Sequence, residues 1–176
     1  MVGVRAPYGI QRLHHFTDSR NLGSIAEHGL LSQRERARCD VKCVYGGDER
    51  SCSLDAEYGL DAYVHLSLTP YHPMQYVAVE EARIREAIDI IVIPEILSLP
   101  GIMLTYDIAN KHGGRPLLPI AGWIASIDFS VLYRPVTSLS PRQRDRVKQL
   151  RRMEVLVPNG VPPDYLRYDL ARARGR

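Results

Sequence analysis

The sequence has no apolar run long enough to cross a membrane, and we expect no secretory leader from its N-terminal residues. Its longest apolar candidate, Ile88–Ile96, contains Asp89, Pro94 and Glu95, whereas a membrane-spanning helix needs about 20 largely apolar residues. The N-terminal segment MVGVRAPYGIQRLHH lacks the apolar core of a signal peptide. From these absences we expect a cytoplasmic protein with no membrane contact.

Cysteine is scarce, and its number is odd. The chain has three cysteines, Cys39, Cys43 and Cys52, which argues against a disulfide framework and for a reducing compartment. Their spacing resembles part of a metal site. Because no fourth ligand follows at a spacing typical of zinc sites, we expect no bound metal.

The common cofactor and hydrolase motifs are absent as well. The chain contains no GxGxxG, GxxxxGK[ST], GxSxG or HExxH pattern. Its 176 residues, 45% of them hydrophobic and 24% charged, are typical of one soluble globular domain with a core of its own. We therefore expect a single domain over residues 1–176 whose function rests on a less common site.

Positive charge is concentrated near the C-terminus. Residues 142–176 include ten Lys or Arg and four Asp or Glu, while the rest of the chain has a net charge of −3. A basic end on a near-neutral body is typical of proteins that bind phosphate, in a nucleic acid or a nucleotide. A solvated helix followed by a frayed arginine-rich tail would give the same pattern.

Short strands separated by helices of varied length predict an α+β fold with a mixed, mainly antiparallel sheet and flanking helices. Helices are predicted from Asn21 to a capping Gly29, from about Pro73, and over residues 142–152. The predicted strands are residues 11–17, 62–68, 88–93, 102–106 and 153–157.

Two segments show no clear period. Residues 32–57 are polar and contain all three cysteines, and we expect them to be irregular and either functional or mobile. Residues 164–173 are expected to form a helix or an irregular tail.

The strand Met153–Val157 contains one carboxylate. Alternation places Glu154 and Leu156 on the face opposite Val155, and the turn residues 158–160 end the strand. A carboxylate in so apolar a strand is costly to bury unless a partner or a substrate compensates it. The alternative is an edge-strand glutamate that points into solvent.

Taken in chain order, several segments resemble the DarT toxins, bacterial ADP-ribosyltransferases that modify DNA bases. The similarity runs from about Leu13 to Leu166, and no single motif carries it. In one departure, His65 replaces a proline usual in that strand of the family. The similar segments are His15-Phe16-Thr17 with the helix after it, residues 63–68, Pro73-Met74-Gln75-Tyr76, residues 104–110 and residues 153–158.

The resemblance implies an ADP-ribosyltransferase-like core over about residues 11–168. It implies an enzyme that uses NAD as co-substrate, without a metal, and transfers ADP-ribose to a nucleobase of single-stranded DNA. Such a protein would be a toxin or phage-defence effector, with an antitoxin that has ADP-ribosyl hydrolase activity as partner. Two alternatives remain open: the same chemistry on RNA or protein, and an inactive relative that binds nucleic acid.

The resemblance also assigns catalytic roles. Glu154 would bind the ribose hydroxyls, stabilise the oxocarbenium-like transition state and accept a proton from the incoming base. Arg50 would pair with the pyrophosphate or the leaving group, for which a guanidinium has suitable bidentate geometry. The family's catalytic arginine has no strong local signature, so Arg36 and Arg38 are rivals to Arg50.

The remaining roles concern binding. His15 and Thr17 would hydrogen-bond the nicotinamide or the ribose, and Tyr76 would stack on the nicotinamide ring. Phe16, Asn21 and Leu30 complete the predicted cofactor site. The basic segment before Glu154 would track DNA phosphates. The predicted substrate-binding residues are Met74, His112, Arg151 and Arg152.

Overall fold

The computed structural model describes residues 7–70, 72–111, 118–119 and 127–168. Nine strands occur in these ranges: β1 Leu13–Asp18, β2 Leu30–Leu31, β3 Tyr63–Ser67, β4 Ala87–Val92, β5 Met103–Leu104, β6 Leu118–Pro119, β7 Glu154–Pro158, β8 Gly160–Val161 and β9 Leu166–Arg167. Seven form one sheet in the order β6-β5-β7-β3-β1-β4-β9, and β2 pairs with β8 in a second sheet. The pairs in both sheets are antiparallel, as predicted.

The two halves of the main sheet meet at a short junction. β1 pairs with β4 along its whole length, from Leu13 with Val92 to Asp18 with Ala87. The register between β1 and β3, in contrast, is the single pair His14 with Ser67. Beyond that pair, the side chain of His15 replaces a ladder bond, because its Nδ1 lies 3.0 Å from the carbonyl oxygen of His65. The sheet is therefore open between two of its central strands.

Five α-helices flank the sheets in the described ranges: α1 Leu22–His28, α2 Gln33–Arg38, α3 Glu49–Glu57, α4 Pro73–Glu80 and α5 Pro141–Leu150. The predictions for α1, α4 and α5 are confirmed. α5 begins with a capping box, in which Ser140 and Gln143 satisfy each other's backbone N–H groups. Val147 and Leu150 bury its inner face.

The prediction that residues 32–57 are irregular is wrong for two stretches, α2 and α3. Each helix has a side-chain N-cap: Ser32 accepts from Glu35 N–H at 3.2 Å, and Asp48 accepts from Ser51 N–H at 2.6 Å. α2 buries no residue, and α3 buries only Asp55. Neither helix has the apolar stripe from which a helical period is detected.

The core confirms the alternation predicted for β7. Val155 and its neighbours on the same face lie in the main cluster of buried hydrophobic residues. Leu156 lies in a separate small cluster with Leu60 and Ala109. Glu154 shares that second face and is 7% exposed, so it is not a solvent-facing edge residue.

The junction between α1 and β2 requires a glycine. Gly29 ends α1 with a φ of 77° and donates its N–H to Ile25 O. A Cβ atom there would lie 2.2 Å from Val161 O. The close contact allows Leu30 to pair with Val161 in the second sheet.

The C-terminal segment is partly a strand, which corrects the prediction of a helix or tail over residues 164–173. Leu166 pairs with Val92 and Arg167 with Ile91 at the sheet edge. Leu166 is 4% exposed, and its burial favours pairing over a free tail. Residues 169–173 lie outside the described ranges. Among the helices of those ranges, none combines the length and apolar character of a membrane span.

Candidate active site

A cavity of about 560 Å³ lies between β1, β3, β7 and the segment that contains α2 and α3. Its volume is in the range of small-molecule sites, about 300–1,000 Å³. The open junction of the sheet contributes to it, since residues of both β1 and β3 line it.

Most of the predicted site residues line this cavity. Tyr76 does not; its side chain is 64% exposed on α4. Arg151 and Arg152 are exposed and also lie outside the lining. His112 falls outside the described residues. The predicted residues that line the cavity are His15, Phe16, Thr17, Asn21, Leu30, Arg50, Met74 and Glu154.

Glu154 is held at the start of β7 by both backbone and side-chain bonds. Its Oε2 accepts the backbone N–H of Ala109 at 2.7 Å and lies 3.4 Å from Nδ1 of His65. Its own N–H donates to Oγ1 of Thr105 at 2.9 Å, and Thr105 N–H donates to Glu154 O at 2.9 Å. The carboxylate therefore has a fixed position.

Glu154 and His65 form an ion pair that lowers the pKa of the carboxyl group and raises the pKa of the imidazole. Burial alone would raise the pKa of Glu154, but the hydrogen bond and charge of His65, with smaller contributions from His72 and Ala109 N–H, lower it overall. Burial alone would lower the pKa of His65, but the hydrogen bond to Glu154 and its charge raise it to about 9. Glu154 is therefore anionic at neutral pH.

Asn21 and His15 organise the other side of the cavity. Asn21 Nδ2 donates to Thr17 Oγ1 at 2.9 Å and to Val44 O at 2.8 Å, while Val44 N–H donates back to Asn21 Oδ1 at 2.7 Å. This network fixes the loop before α3 against β1. Burial lowers the pKa of His15, so its ring is neutral, with Nδ1 donating to His65 O.

The three candidate arginines differ in position. Arg50 and Arg36 line the cavity, and Arg38 is not among the lining residues. Arg38 is exposed and its Nε donates to Glu35 at 2.8 Å. The Arg36 guanidinium lies 5.0 Å from the centroid of the Tyr45 ring. Of the three candidate arginines, Arg50 and Arg36 are therefore the two that lie at the cavity.

The basic segment before β7 carries its charge on the surface. Arg152 makes a bidentate pair with Asp107, with Nε to Oδ1 at 2.8 Å and Nη2 to Oδ2 at 2.5 Å. Burial would raise the pKa of Asp107, but the bond to Arg152 lowers it overall. The exposed cations of α5 are Arg142, Arg144, Arg146 and Lys148.

Sequence reasoning missed several buried polar residues of the cavity, among them Asp55 and His72. Asp55 is 6% exposed and accepts from Asn110 Nδ2 at 3.0 Å and Gln33 Nε2 at 3.1 Å. Burial is the main cause that raises its pKa. Its helix gave no periodic signal. His72 is also 6% exposed, and its position just before Pro73 was the available sign of an N-cap.

The described residues contain no group of three or more His, Cys, Asp or Glu side chains that could hold a metal ion. The three cysteines are free thiols. Glu154, His65 and Asp55 are instead engaged with one another, with backbone groups or with amides.

A family model described as "ssDNA thymidine ADP-ribosyltransferase, DarT" matches residues 14–168. The match covers most of the chain and extends from the second residue of β1 to beyond the end of β9. The chain belongs to the DarT family. A comparison with curated proteins finds no match.

Solved DarT structures have the same fold. The Thermosipho africanus DarTG complex with ADP-ribose aligns with a TM-score of 0.65 and 22% identity, over 89% of this chain and 42% of that one. Thermus sp. 2.9 DarT with ADP-ribosylated single-stranded DNA aligns with a TM-score of 0.62 and 15% identity, over 87% and 77%. The same Thermus protein with NAD+ gives 0.56 and 15%, over 89% and 79%.

These alignments confirm the predicted ADP-ribosyltransferase-like fold, and the family match confirms the predicted family. The chain spans less than half the length of the Thermosipho DarTG chain that it matches. The identities lie at or below 22%, so the roles of individual residues depend on the geometry of this chain.

Proposed function

We propose that this DarT-family chain is an NAD-dependent enzyme that transfers ADP-ribose to a thymine base of single-stranded DNA. The observation that carries the proposal is the buried, anionic carboxylate of Glu154, which lines a cavity of small-molecule size in a chain of this family. Family membership supplies the class of reaction, and Glu154 supplies a residue able to perform it. A cytoplasmic location follows as part of the proposal, because both NAD and DNA are found inside cells.

The reaction breaks the glycosidic bond between nicotinamide and ribose and forms a bond from the same ribose carbon to the base, which loses a proton. Positive charge develops on the ribose in between. Glu154 is ionised at neutral pH and buried, and it can stabilise that charge. Its lowered pKa makes it a weaker proton acceptor, so charge stabilisation is its main proposed role.

The cofactor-binding residues remain proposals that the cavity supports. His15, Phe16, Thr17, Asn21 and Leu30 line it and would contact NAD. Asn21 would act by holding Thr17 and the Val44 backbone in place, because its amide is already bonded to both.

Two further proposed NAD contacts involve an arginine of the cavity and the exposed ring of Tyr76. Arg50 would meet the pyrophosphate or the leaving group, and Arg36 lines the same cavity and could do so instead. Tyr76 is exposed, so its stacking role requires a nicotinamide that extends beyond the cavity lining.

DNA would approach along the basic surface that leads to β7. Met74 lines the cavity and would contact the target base there. Exposed Arg151 would bind phosphate, whereas Arg152 would first have to leave Asp107. His112 is kept as a proposed substrate contact. A base modified at its ring edge must be unpaired, which favours single strands.

The proposed biological role is that of a toxin or phage-defence effector. The name DarTG of the Thermosipho relative, of which this chain matches 42%, is compatible with a larger system. We propose that an antitoxin with ADP-ribosyl hydrolase activity restrains the chain.

The test is incubation of the full chain with NAD and single-stranded oligonucleotides, with the product read by mass spectrometry. A thymidine-containing oligonucleotide should gain one ADP-ribose, and a matched oligonucleotide without thymidine should not. Glu154→Gln serves as the inactive control. If the adduct forms only on RNA or only on protein, that molecule and not DNA is the acceptor of ADP-ribose. NAD that stays intact, together with salt-dependent DNA binding, would reduce the chain to a binding protein.

A further inference from the structure

His72 has one satisfied ring nitrogen and one without a partner. It caps α4, where its Nδ1 accepts the backbone N–H of Met74 at 3.3 Å. Its Nε2 is buried and has no hydrogen-bond partner among the described residues. His72 lines the cavity, and its Nε2 lies 3.9 Å from Oε1 of Glu154. A buried polar group without a partner is costly and calls for an explanation.

The protonation state of His72 follows from its cap. Because Nδ1 accepts a hydrogen bond, the ring proton of the neutral form is on Nε2. Burial lowers the pKa of His72 more than the charge of Glu154 raises it, which keeps the ring neutral. The ring also stacks on Phe16, with centroids 6.3 Å apart and planes 15° apart. His72 thus presents a fixed N–H donor beside the carboxylate.

The two oxygens of Glu154 are not equivalent. Oε2 already receives Ala109 N–H and faces His65. Oε1 lies 3.9 Å from His72 Nε2, a separation too long for a direct hydrogen bond. Glu154 Oε1, an acceptor, and His72 Nε2–H, a donor, are therefore neighbours without a direct hydrogen bond between them.

The separation matches one bridging atom. An oxygen can lie about 2.8 Å from both Oε1 and Nε2, because their 3.9 Å separation is less than twice a hydrogen-bond length. That oxygen must accept from Nε2–H and donate to Oε1. A hydroxyl does both with one atom, whereas a carbonyl only accepts and an ammonium only donates.

We propose that His72 and Glu154 together bind one hydroxyl of the ribose attached to nicotinamide. His72 is then a substrate-binding residue of the transferase as well as a helix cap. The inference rests on the proposed function and adds a residue and a contact to it. A base imide, with adjacent N–H and C=O groups, has the same donor and acceptor character through two atoms, and the experiment separates it from the ribose.

The experiment uses His72→Ser in the full chain. Serine is a good N-cap, so the variant keeps the start of α4 and removes the Nε2–H donor. His72→Ala removes both, and a lower thermal unfolding midpoint in Ala than in Ser would show that Ser has kept the cap. His28→Ser is the matched control, because His28 is a half-exposed histidine at the end of α1.

Binding of NAD, and of analogues without the 2′- or the 3′-hydroxyl on the nicotinamide ribose, is measured by titration calorimetry. We expect His72→Ser to weaken NAD binding about tenfold, which is about 1.4 kcal/mol. For one of the two analogues, wild type and His72→Ser should bind alike, because the hydroxyl contact is already lost. His28→Ser should bind NAD as wild type does.

Two results would overturn the inference while the proposed function stands. One is wild-type NAD affinity in His72→Ser with both substrates turned over normally. The other is wild-type NAD affinity with loss of transfer to the oligonucleotide alone, which would assign the donor to the base imide. If the wild-type chain neither binds nor consumes NAD, the proposed function itself fails.

Discussion

Nδ1 of His65 lies 3.4 Å from Oε2 of Glu154, and Nε2 of the same ring lies 3.4 Å from Leu60 O. Both ring nitrogens face acceptors, which is the arrangement that an imidazolium requires. The raised pKa of His65, about 9, has the same cause.

The ion pair predicts a pH-dependent stability. Because the pKa of His65 rises from 6.5 to about 9 on folding, its stabilising contribution is complete below about pH 6.5 and is lost as the pH rises through about 9. Wild type should lose on the order of 2 kcal/mol of unfolding free energy relative to His65→Gln across that window. Denaturant titrations at several pH values measure the difference. A difference that does not change with pH would contradict the imidazolium.

Glu154→Gln should abolish most of the transfer activity and leave the fold intact. The amide keeps an acceptor for Ala109 N–H but removes the charge that stabilises the transition state. We expect the rate of ADP-ribose transfer to fall by about 10²- to 10⁴-fold, measured with NAD and a thymidine-containing oligonucleotide. The circular dichroism spectrum should stay unchanged. Activity near the wild-type level would remove Glu154 from the mechanism.

Conservative substitutions should identify the working arginine. Arg50→Lys keeps the charge but not the bidentate fork, and we expect kcat/KM for NAD to fall by about tenfold or more. Arg36→Lys tests the rival at the same cavity. Arg38→Lys is the matched control, because Arg38 is exposed and paired with Glu35. A large loss in Arg36→Lys with normal activity in Arg50→Lys would reverse the assignment.

Two glycines close in sequence should respond oppositely to alanine. Gly29→Ala forces a left-handed residue and a Cβ atom 2.2 Å from Val161 O, which should destabilise the chain by about 1–3 kcal/mol. Gly23 lies within α1, and nothing is within 4 Å of a Cβ built there. Gly23→Ala should stabilise by about 0.5–1 kcal/mol. Thermal unfolding of both variants tests the pair, and equal midpoints would refute the strained cap.

Periodicity revealed those parts of the fold that bury an apolar face. Both β7 and α5 were predicted, and both bury apolar side chains: Val155 and Leu156 pack on opposite sides of β7, and Val147 lies on the inner face of α5. α2 and α3 bury almost no apolar surface, so their pattern carried no such information. They are held by caps and by the polar contacts of the cavity.

The candidate site was predictable where a residue stood out chemically. Glu154 stood out as a charged residue in an apolar strand, and in the structure it is buried and paired with His65. His72 and Asp55 did not, because one resembles an ordinary cap and the other an exposed helix residue. Their roles depend on contacts between residues far apart in the chain, such as Asp55 with Asn110. Those contacts form only when the sheet is assembled.

The pair between Arg152 and Asp107 joins the basic surface to the site. Asp107 lies two residues before Ala109, whose N–H holds Oε2 of Glu154, and Arg152 lies two residues before Glu154 itself. A phosphate that draws Arg152 away from Asp107 would release the loop of residues 107–109, whose Ala109 N–H holds the Glu154 carboxylate. Under the proposed function, binding of a nucleic acid strand to Arg152 would then affect the position of the Glu154 carboxylate, since only a few covalent bonds separate the two residues.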